Sequence, residues 1–372
     1  MSFAKQLAQW DFDDVTLQIH ACTANDVQRA LNSTRPGLKD FMALISPAAE
    51  PFLAHMARLS YARTRQRFGN TLQFYIPLYL SNLCANDCTY CGFSMSNKLR
   101  RKTLDLAEIE AECQAIKSMG FDSVLVVTGE HETKVGMAYF RQAIPLIKRH
   151  FSYLSMEVQP LAEAEYLELC QLGLDAVLVY QETYRRRTYA RHHLKGKKMD
   201  FDWRLDTPER LGRAGVDKMG LGVLIGLDDW RTDSFFAALH LKYLQKTYWR
   251  SRYSLSFPRL RPCSGGLTDK TQMTDKQLVQ LICAYRLLDS EVELSLSTRE
   301  SAQFRDKLLP LGITSLSAGS STQPGGYAGG ETALEQFEID DARTPKDVAN
   351  AVRRAGLQPV WKDWERSYSQ TG

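Results

Sequence analysis

Eight short β-type runs recur along the chain with a helix-length stretch between most neighbours, and this alternation constrains the fold more than any other feature. The runs lie at 72–80 (LQFYIPLYL), 122–128 (DSVLVVT), 153–159 (YLSMEVQ), 175–182 (DAVLVYQE), 218–226 (KMGLGVLIG), 253–260 (YSLSFPRL), 292–298 (VELSLST) and 314–320 (TSLSAGS). Helices are expected near 105–119, 136–149, 161–172, 207–214, 232–249, 274–289 and 301–310. Asp105 after Thr103 marks one start, and Pro208 just behind Thr207, read as a cap, marks another. Strands that alternate with helices pair in parallel. Eight of them within roughly 250 residues fit a (β/α)8 TIM-type barrel better than the open doubly wound sheet that is the alternative. Residues 1–71 read as a helical N-terminal extension and 72–320 as the barrel. Residues 321–372 read as a C-terminal extension packing on it, with a Gly-rich turn, one helix and an aromatic tail. A barrel carries its active site at the C-terminal ends of its strands, and that rule selects the residues that follow.

Composition excludes several classes. An apolar share of 44% and a charged share of 24% suit a globular protein with a sizeable core, and a formal net charge of +4 over 372 residues argues little for nucleic acid. The opening MSFAKQLAQWDFDD has early acids and no apolar centre, unlike a signal peptide. No stretch of about 18 uncharged apolar residues could span a membrane. The expectation is a cytoplasmic protein that binds neither nucleic acid nor membrane. Of 8 cysteines, three are bunched at Cys84, Cys88 and Cys91, while Cys22, Cys113, Cys170, Cys263 and Cys283 are scattered. Bunched thiols in a reducing compartment point to a metal site, and the scattered ones read as small buried hydrophobes.

The bunched set follows the first β-run directly. Three thiolates spaced four and then three apart can wrap one [4Fe–4S] cluster and leave an iron without a protein ligand. The amino and carboxylate groups of S-adenosylmethionine (SAM) can chelate that iron, so that one electron enters the sulfonium and breaks a C–S bond. A structural zinc takes four protein ligands, and the next histidine, His131, is far along the chain. Zinc and three free buried thiols stay open as alternatives.

The pattern Cx3CxΦC with Tyr90 at the aromatic position resembles the radical SAM superfamily. More narrowly, LYLSNLCANDCTYCGFSMSNKLRRKTL is similar to the 2-iminoacetate synthase family, the radical SAM tyrosine lyases of bacterial thiamine-thiazole synthesis. MEVQPLAEAEY, VYQETY, YARHHLKGKK, SFPRLRPCSGG, ELSLSTRE and QPGGY share that likeness, which therefore runs through nearly the whole chain. The resemblance implies that Gly129 and Glu130, ending the second strand, receive the SAM amino group. It also implies that Gly222 to Gly226 is a strand packed on adenine. A dinucleotide loop is the naive reading of those glycines, but no helix opens after Gly222. Glu157 and Gln181, at strand ends, suit ribose hydroxyls or substrate, and Glu182 is favoured for contact with SAM at the catalytic centre.

The implied reaction takes L-tyrosine: a 5′-deoxyadenosyl radical removes an amine hydrogen, and the Cα–Cβ bond breaks to give 2-iminoacetate (dehydroglycine) and p-cresol. A planar guanidinium suits bidentate binding of the carboxylate. Arg299 is the first candidate, with Ser317 as helper and Arg259 and Arg261 next; an ion pair with Glu300 is the competing use of Arg299. Thiazole synthase is the implied partner. The basic run 185–198 reads as a solvated face or as a docking site for flavodoxin or a similar acidic reductant. The segment from Trp361 to Trp364 reads as a packing anchor. Two rivals remain. One is the tyrosine lyase that matures iron-only hydrogenase, whose extra C-terminal cysteine cluster has no counterpart after Cys283. The other is a zinc-stapled scaffold for thiazole synthase.

Overall fold

The computed structural model describes residues 2–263, 273–329 and 335–362. Its centre is a closed barrel of eight parallel strands. These are β1 (Thr71–Ser81), β2 (Ser123–Thr128), β3 (Tyr153–Glu157), β4 (Ala176–Leu178), β5 (Lys218–Gly222), β6 (Arg252–Ser256), β7 (Glu293–Leu296) and β8 (Ser315–Ser317). The long β1 performs the closure. Its first half registers Gln73 to Tyr75 on β8, and its second half registers Ile76 to Ser81 on β2. A ninth strand, β9 (Gln358–Val360), pairs with Thr71 to Gln73, below the point where β2 begins. The tail therefore adds a strand to the sheet where the sequence suggested only an aromatic segment.

All seven expected inter-strand helices begin within two residues of expectation, and the last of them, Ala302–Leu308, ends two residues short of the expected 310. Asp105 caps Leu106–Ser118 by accepting from the Glu108 N–H at 2.8 Å, and the Glu108 carboxylate accepts from the Asp105 N–H at 2.9 Å. For Thr207–Arg213 the cap position falls to Asp206; the Thr207 hydroxyl turns back to the Trp203 carbonyl instead. Two short helices, Arg186–His192 within the basic stretch and Phe201–Leu205 just after it, carry no visible period in the sequence.

The N-terminal helices share the barrel's hydrophobic core. Phe3 lies flat on His240 with 3.7 Å between ring centres. The Gln280 amide donates to the Leu44 and Ser46 carbonyls at 2.9 and 2.8 Å. Trp361 packs edge-on against Phe74 and Phe121, as an anchor would; Trp364 lies outside the described residues. Among the described residues no helix is long and apolar enough to cross a membrane.

One buried ion pair ties the C-terminal segment to β8. Arg305 and Asp341 are 1% and 0% exposed, and Arg305 also donates to the Ser317 carbonyl. Removing one member leaves a buried charge unpaired, which costs about 3–5 kcal/mol. Asp341→Ala is thus expected to lower the urea midpoint strongly. Lys117→Ala, at an exposed pair with Asp122, is expected to move it little. Equal midpoints for the two would contradict this reading of the pair.

Candidate active site

The loop after β1 carries the three bunched cysteines, and its shape is fixed by backbone contacts. The Gly129 N–H donates to the Ser81 carbonyl at 2.8 Å, and Ala85 N–H to the Glu130 carbonyl at 2.8 Å. A Cβ at Gly129 would sit 2.4 Å from the Leu83 carbonyl oxygen, so glycine is needed there for the loop to meet the end of β2. Arg101, unmarked in the sequence, staples the loop by donating to the Asn82, Phe93 and Ser94 carbonyls at 2.8, 2.8 and 2.6 Å. Asp87 accepts from Ser94 and Ser96, and Ser94 accepts from the Cys88 N–H. Asp87 and Cys88 also form a two-stranded ladder with His193 and Lys195.

Cys84, Cys88 and Cys91 all line one cavity at the C-terminal mouth of the barrel. Burial pushes the Cys84 thiol up to about 11 and raises Cys88 and Cys91 as well. Such thiols keep their protons until iron displaces them. Among the described residues that line the cavity there is no fourth cysteine and no histidine, Cys263 standing behind it with its thiol 3.2 Å from the Tyr90 carbonyl, and three thiols match a cluster with one open iron. Among the described residues no three His, Cys, Asp or Glu side chains converge as a single ion requires. The zinc-staple reading therefore finds no donor set there.

Tyr90, Gly129, Glu130, Glu157, Glu182, Arg299 and Ser317 share the cavity wall with the cysteines. Tyr90 packs with Leu224, Leu227 and Leu260, an apolar shelf. Its hydroxyl lies 2.7 Å from His193 Nε2, while His193 Nδ1 lies 2.7 Å from the Tyr189 carbonyl. A carbonyl can only accept, so Nδ1 carries the proton and Tyr90 donates to Nε2. Gln181, Gly222 and Gly226 do not reach the wall. Gly222 leaves room for the Tyr180 ring, 2.9 Å from where its Cβ would lie, and Gly226 takes φ +120° at the turn after the strand. Within that segment Leu224 is the residue that faces the cavity.

A buried four-charge network borders the cysteines, and half of it escaped the sequence reading. Glu130 lies 3.1 Å from Arg204; Glu182 lies 2.8 Å from Lys198 and 3.5 Å from Arg204. Asn86 donates to Glu130 at 2.7 Å. Burial alone would raise both acids, but Arg204 and Lys198 hold them below the usual carboxylate range. Lys198 thus points inward, unlike Lys195 and Lys197, which are exposed. Glu182 adopts φ +70°, the one left-handed non-glycine among the described residues, a conformation kept where the surroundings overdetermine it. Burial, and then the Glu182 carboxylate, push Glu157 up to about 7.

The three candidate arginines separate clearly. Arg259 and Arg261 both reach Glu300, and Arg261 also reaches Asp340 at 3.3 Å. Arg299 has no carboxylate within ion-pair distance among the described residues. Its guanidinium lies over the Phe337 ring, 3.4 Å from the centroid, and faces the cavity. The Ser317 hydroxyl accepts from the Thr298 N–H at 3.1 Å, so it steadies the backbone that carries Arg299. The floor holds three tyrosines, Tyr75, Tyr79 and Tyr180.

Comparison with known proteins places this geometry. A family model described as the radical SAM superfamily matches residues 78–239, and one described as the biotin and thiamin synthesis associated domain matches 256–358. The chain is 62% identical over 365 residues to 2-iminoacetate synthase of Escherichia coli (strain K12), covering 98% of this chain and 97% of that one. Identity to the 2-iminoacetate synthase of Salmonella typhimurium is 60% over the same shares. Among solved structures, the [FeFe]-hydrogenase maturase HydG from Carboxydothermus hydrogenoformans is similar with a TM-score of 0.84 at 29% identity, over 94% of this chain and 80% of that one. Methylornithine synthase (PylB) shares the fold, with a TM-score of 0.71 at 20% identity over 90% and 97%.

Proposed function

This chain belongs to the 2-iminoacetate synthases, and we infer from its cavity how it carries out their reaction. It is a radical SAM lyase that cleaves the Cα–Cβ bond of L-tyrosine to 2-iminoacetate and p-cresol for thiamine thiazole biosynthesis. A [4Fe–4S] cluster held there, once reduced by an external donor, would supply the one electron needed to split SAM into methionine and a 5′-deoxyadenosyl radical.

In our reading Cys84, Cys88 and Cys91 hold the cluster. Tyr90, Leu224 and Leu260 face the adenine, and the Glu130–Arg204–Lys198–Glu182 network borders the methionine end. The observation that carries the substrate end is Arg299: a half-buried guanidinium over the Phe337 ring that faces the cavity and has no carboxylate within ion-pair distance among the described residues. It binds the tyrosine carboxylate, and Glu157, near neutrality, can take or return one proton beside the amine. Ser317 acts through the backbone of Thr298. The test is anaerobic incubation of iron- and sulfide-loaded protein with tyrosine, SAM and dithionite. p-Cresol is expected; a loaded protein that makes none overturns the reading.

The outer face of the cysteine loop supports a reductant contact. Met95, Leu194 and Met199 are exposed there beside Lys195 and Lys197, a basic and apolar surface that suits an acidic donor such as flavodoxin. Lys195→Glu with Lys197→Glu is expected to slow flavodoxin-driven turnover, less so as salt rises, and to leave dithionite-driven turnover unchanged. Equal losses with both reductants would place the damage at the active site. In our reading the product of the reaction passes to thiazole synthase.

A further inference from the structure

A glutamine from the C-terminal part of the chain reaches one of the three cysteines. Gln336 Nε2 lies 3.8 Å from Cys91 Sγ, within range for an N–H···S bond. Its amide cannot turn over freely, because the Tyr79 hydroxyl lies 2.7 Å from Gln336 Oε1 and is the donor to it. With its oxygen on the phenol O–H the amide turns its N–H groups to sulfur, and the flipped amide would set a carbonyl oxygen against a thiolate, which repels it. The backbone is held as tightly. The Gly92 N–H donates to the Gln336 carbonyl at 3.1 Å, and the Gln336 N–H to the Thr322 carbonyl at 3.1 Å. A Cβ at Gly92 would lie 2.7 Å from the Gln336 carbonyl oxygen, so the glycine after Cys91 is what lets the two segments touch.

We propose that Gln336 is a positioning residue that donates a hydrogen bond to the Cys91 thiolate and so raises the reduction potential of the cluster; the proposal rests on the cluster assignment above. The physical reason is simple. Reduction adds negative charge that is shared with the thiolate sulfurs, and an N–H aimed at one of them stabilises the reduced form more than the oxidised form. Hydrogen bonds to the sulfurs are one of the few levers a protein has on that potential once the ligands are fixed. Tyr79 lies on the cavity floor, so the path Tyr79–Gln336–Cys91 also joins the substrate end to the metal end.

The experiment measures the cluster's midpoint potential by EPR-monitored titration in the intact protein, after iron and sulfide have been counted. Gln336→Met keeps the volume and removes the donor. Gln336→Glu turns an anion toward the sulfur. At a fixed poise near the midpoint, the ratio of reduced to oxidised cluster is expected to fall roughly three- to tenfold in Gln336→Met, about 30–60 mV at 59 mV per decade, and further in Gln336→Glu. A purely packing role for Gln336 would move stability and leave the potential in place, so unchanged midpoints in both variants overturn the proposal. Should those variants fail to take up a full cluster, Tyr79→Phe decides. It leaves the Gln336 backbone alone and frees the amide to rotate; a more negative midpoint supports the proposal and an unchanged one overturns it. Failure of the cluster assignment itself would be visible separately, as missing iron and sulfide in the unsubstituted protein.

Discussion

Replacing Cys88 by alanine is expected to abolish reductive cleavage of SAM. Cys88 is buried in the ladder with His193 and Lys195, and its sulfur shares the cavity wall with those of Cys84 and Cys91. A cluster held by three thiolates has none to spare: with two left, a second iron loses its protein ligand and the assembly is no longer held. Among the described residues the cavity wall offers no other thiol, and the Glu130 and Glu182 carboxylates there are already paired with Arg204 and Lys198. Cys113→Ala is the matched control. Cys113 is equally buried but sits on the outer helix Leu106–Ser118, so its loss should lower stability modestly and leave 5′-deoxyadenosine formation intact. Full SAM cleavage by Cys88→Ala would remove the cysteine from the site.

The second large effect is expected at Arg299. Lysine keeps the positive charge and loses the second planar hydrogen bond to a carboxylate. A hydrogen bond to a charged group contributes about 1.5–3 kcal/mol, so Arg299→Lys should weaken tyrosine binding by roughly tenfold to over a hundredfold. The stacking on Phe337 is lost with it, and the ammonium is free to settle elsewhere on the wall. A misplaced amine should uncouple the chemistry: 5′-deoxyadenosine continues to form while p-cresol falls further. The readout is the ratio of those two products beside the unsubstituted protein. An unchanged affinity and ratio would mean that the carboxylate is held elsewhere, and Arg261, whose pair with Glu300 is long at 3.8 Å, becomes the next candidate.

The barrel was legible because its signal is local. Each β-run is a short apolar segment that the fold buries on both sides, and each helix carries its own period and caps. The strand lost from view, β9, is three residues of QPV with no apolar run behind it; it exists because the lower edge of β1 is open to it, which is a tertiary fact. The same division holds at the site. The cysteines, Glu130, Glu182 and Arg299 stand at or just beyond strand ends and could be chosen by position alone. Lys198 and Arg204 come from the short helical segments after β4: the basic run 185–198 looks like a solvated face until the fold turns Lys198 inward to Glu182, and Arg204, just beyond the run, joins it at Glu130 and Glu182. The presence of such paired acids at the mouth, each costly to bury alone, was the available hint. Gly222 and Gly226 mislead for the opposite reason: a glycine marks close approach, but here the close neighbours of Gly222 are Tyr180 and the Ser256 backbone, and only Leu224 between them reaches the cavity. Gln336 had no sequence signal at all, being placed by backbone bonds to Gly92 and Thr322.

The central claim is that a radical drawn from SAM in this cavity takes its hydrogen from the tyrosine amine and breaks the Cα–Cβ bond. The most direct test is turnover of the loaded protein with tyrosine and SAM in D2O, followed by mass analysis of 5′-deoxyadenosine against p-cresol. Amine hydrogens exchange with solvent and carbon-bound ones do not. The expected result is 5′-deoxyadenosine carrying one deuterium, formed in step with p-cresol. Undeuterated 5′-deoxyadenosine accompanying full cleavage of tyrosine would contradict it.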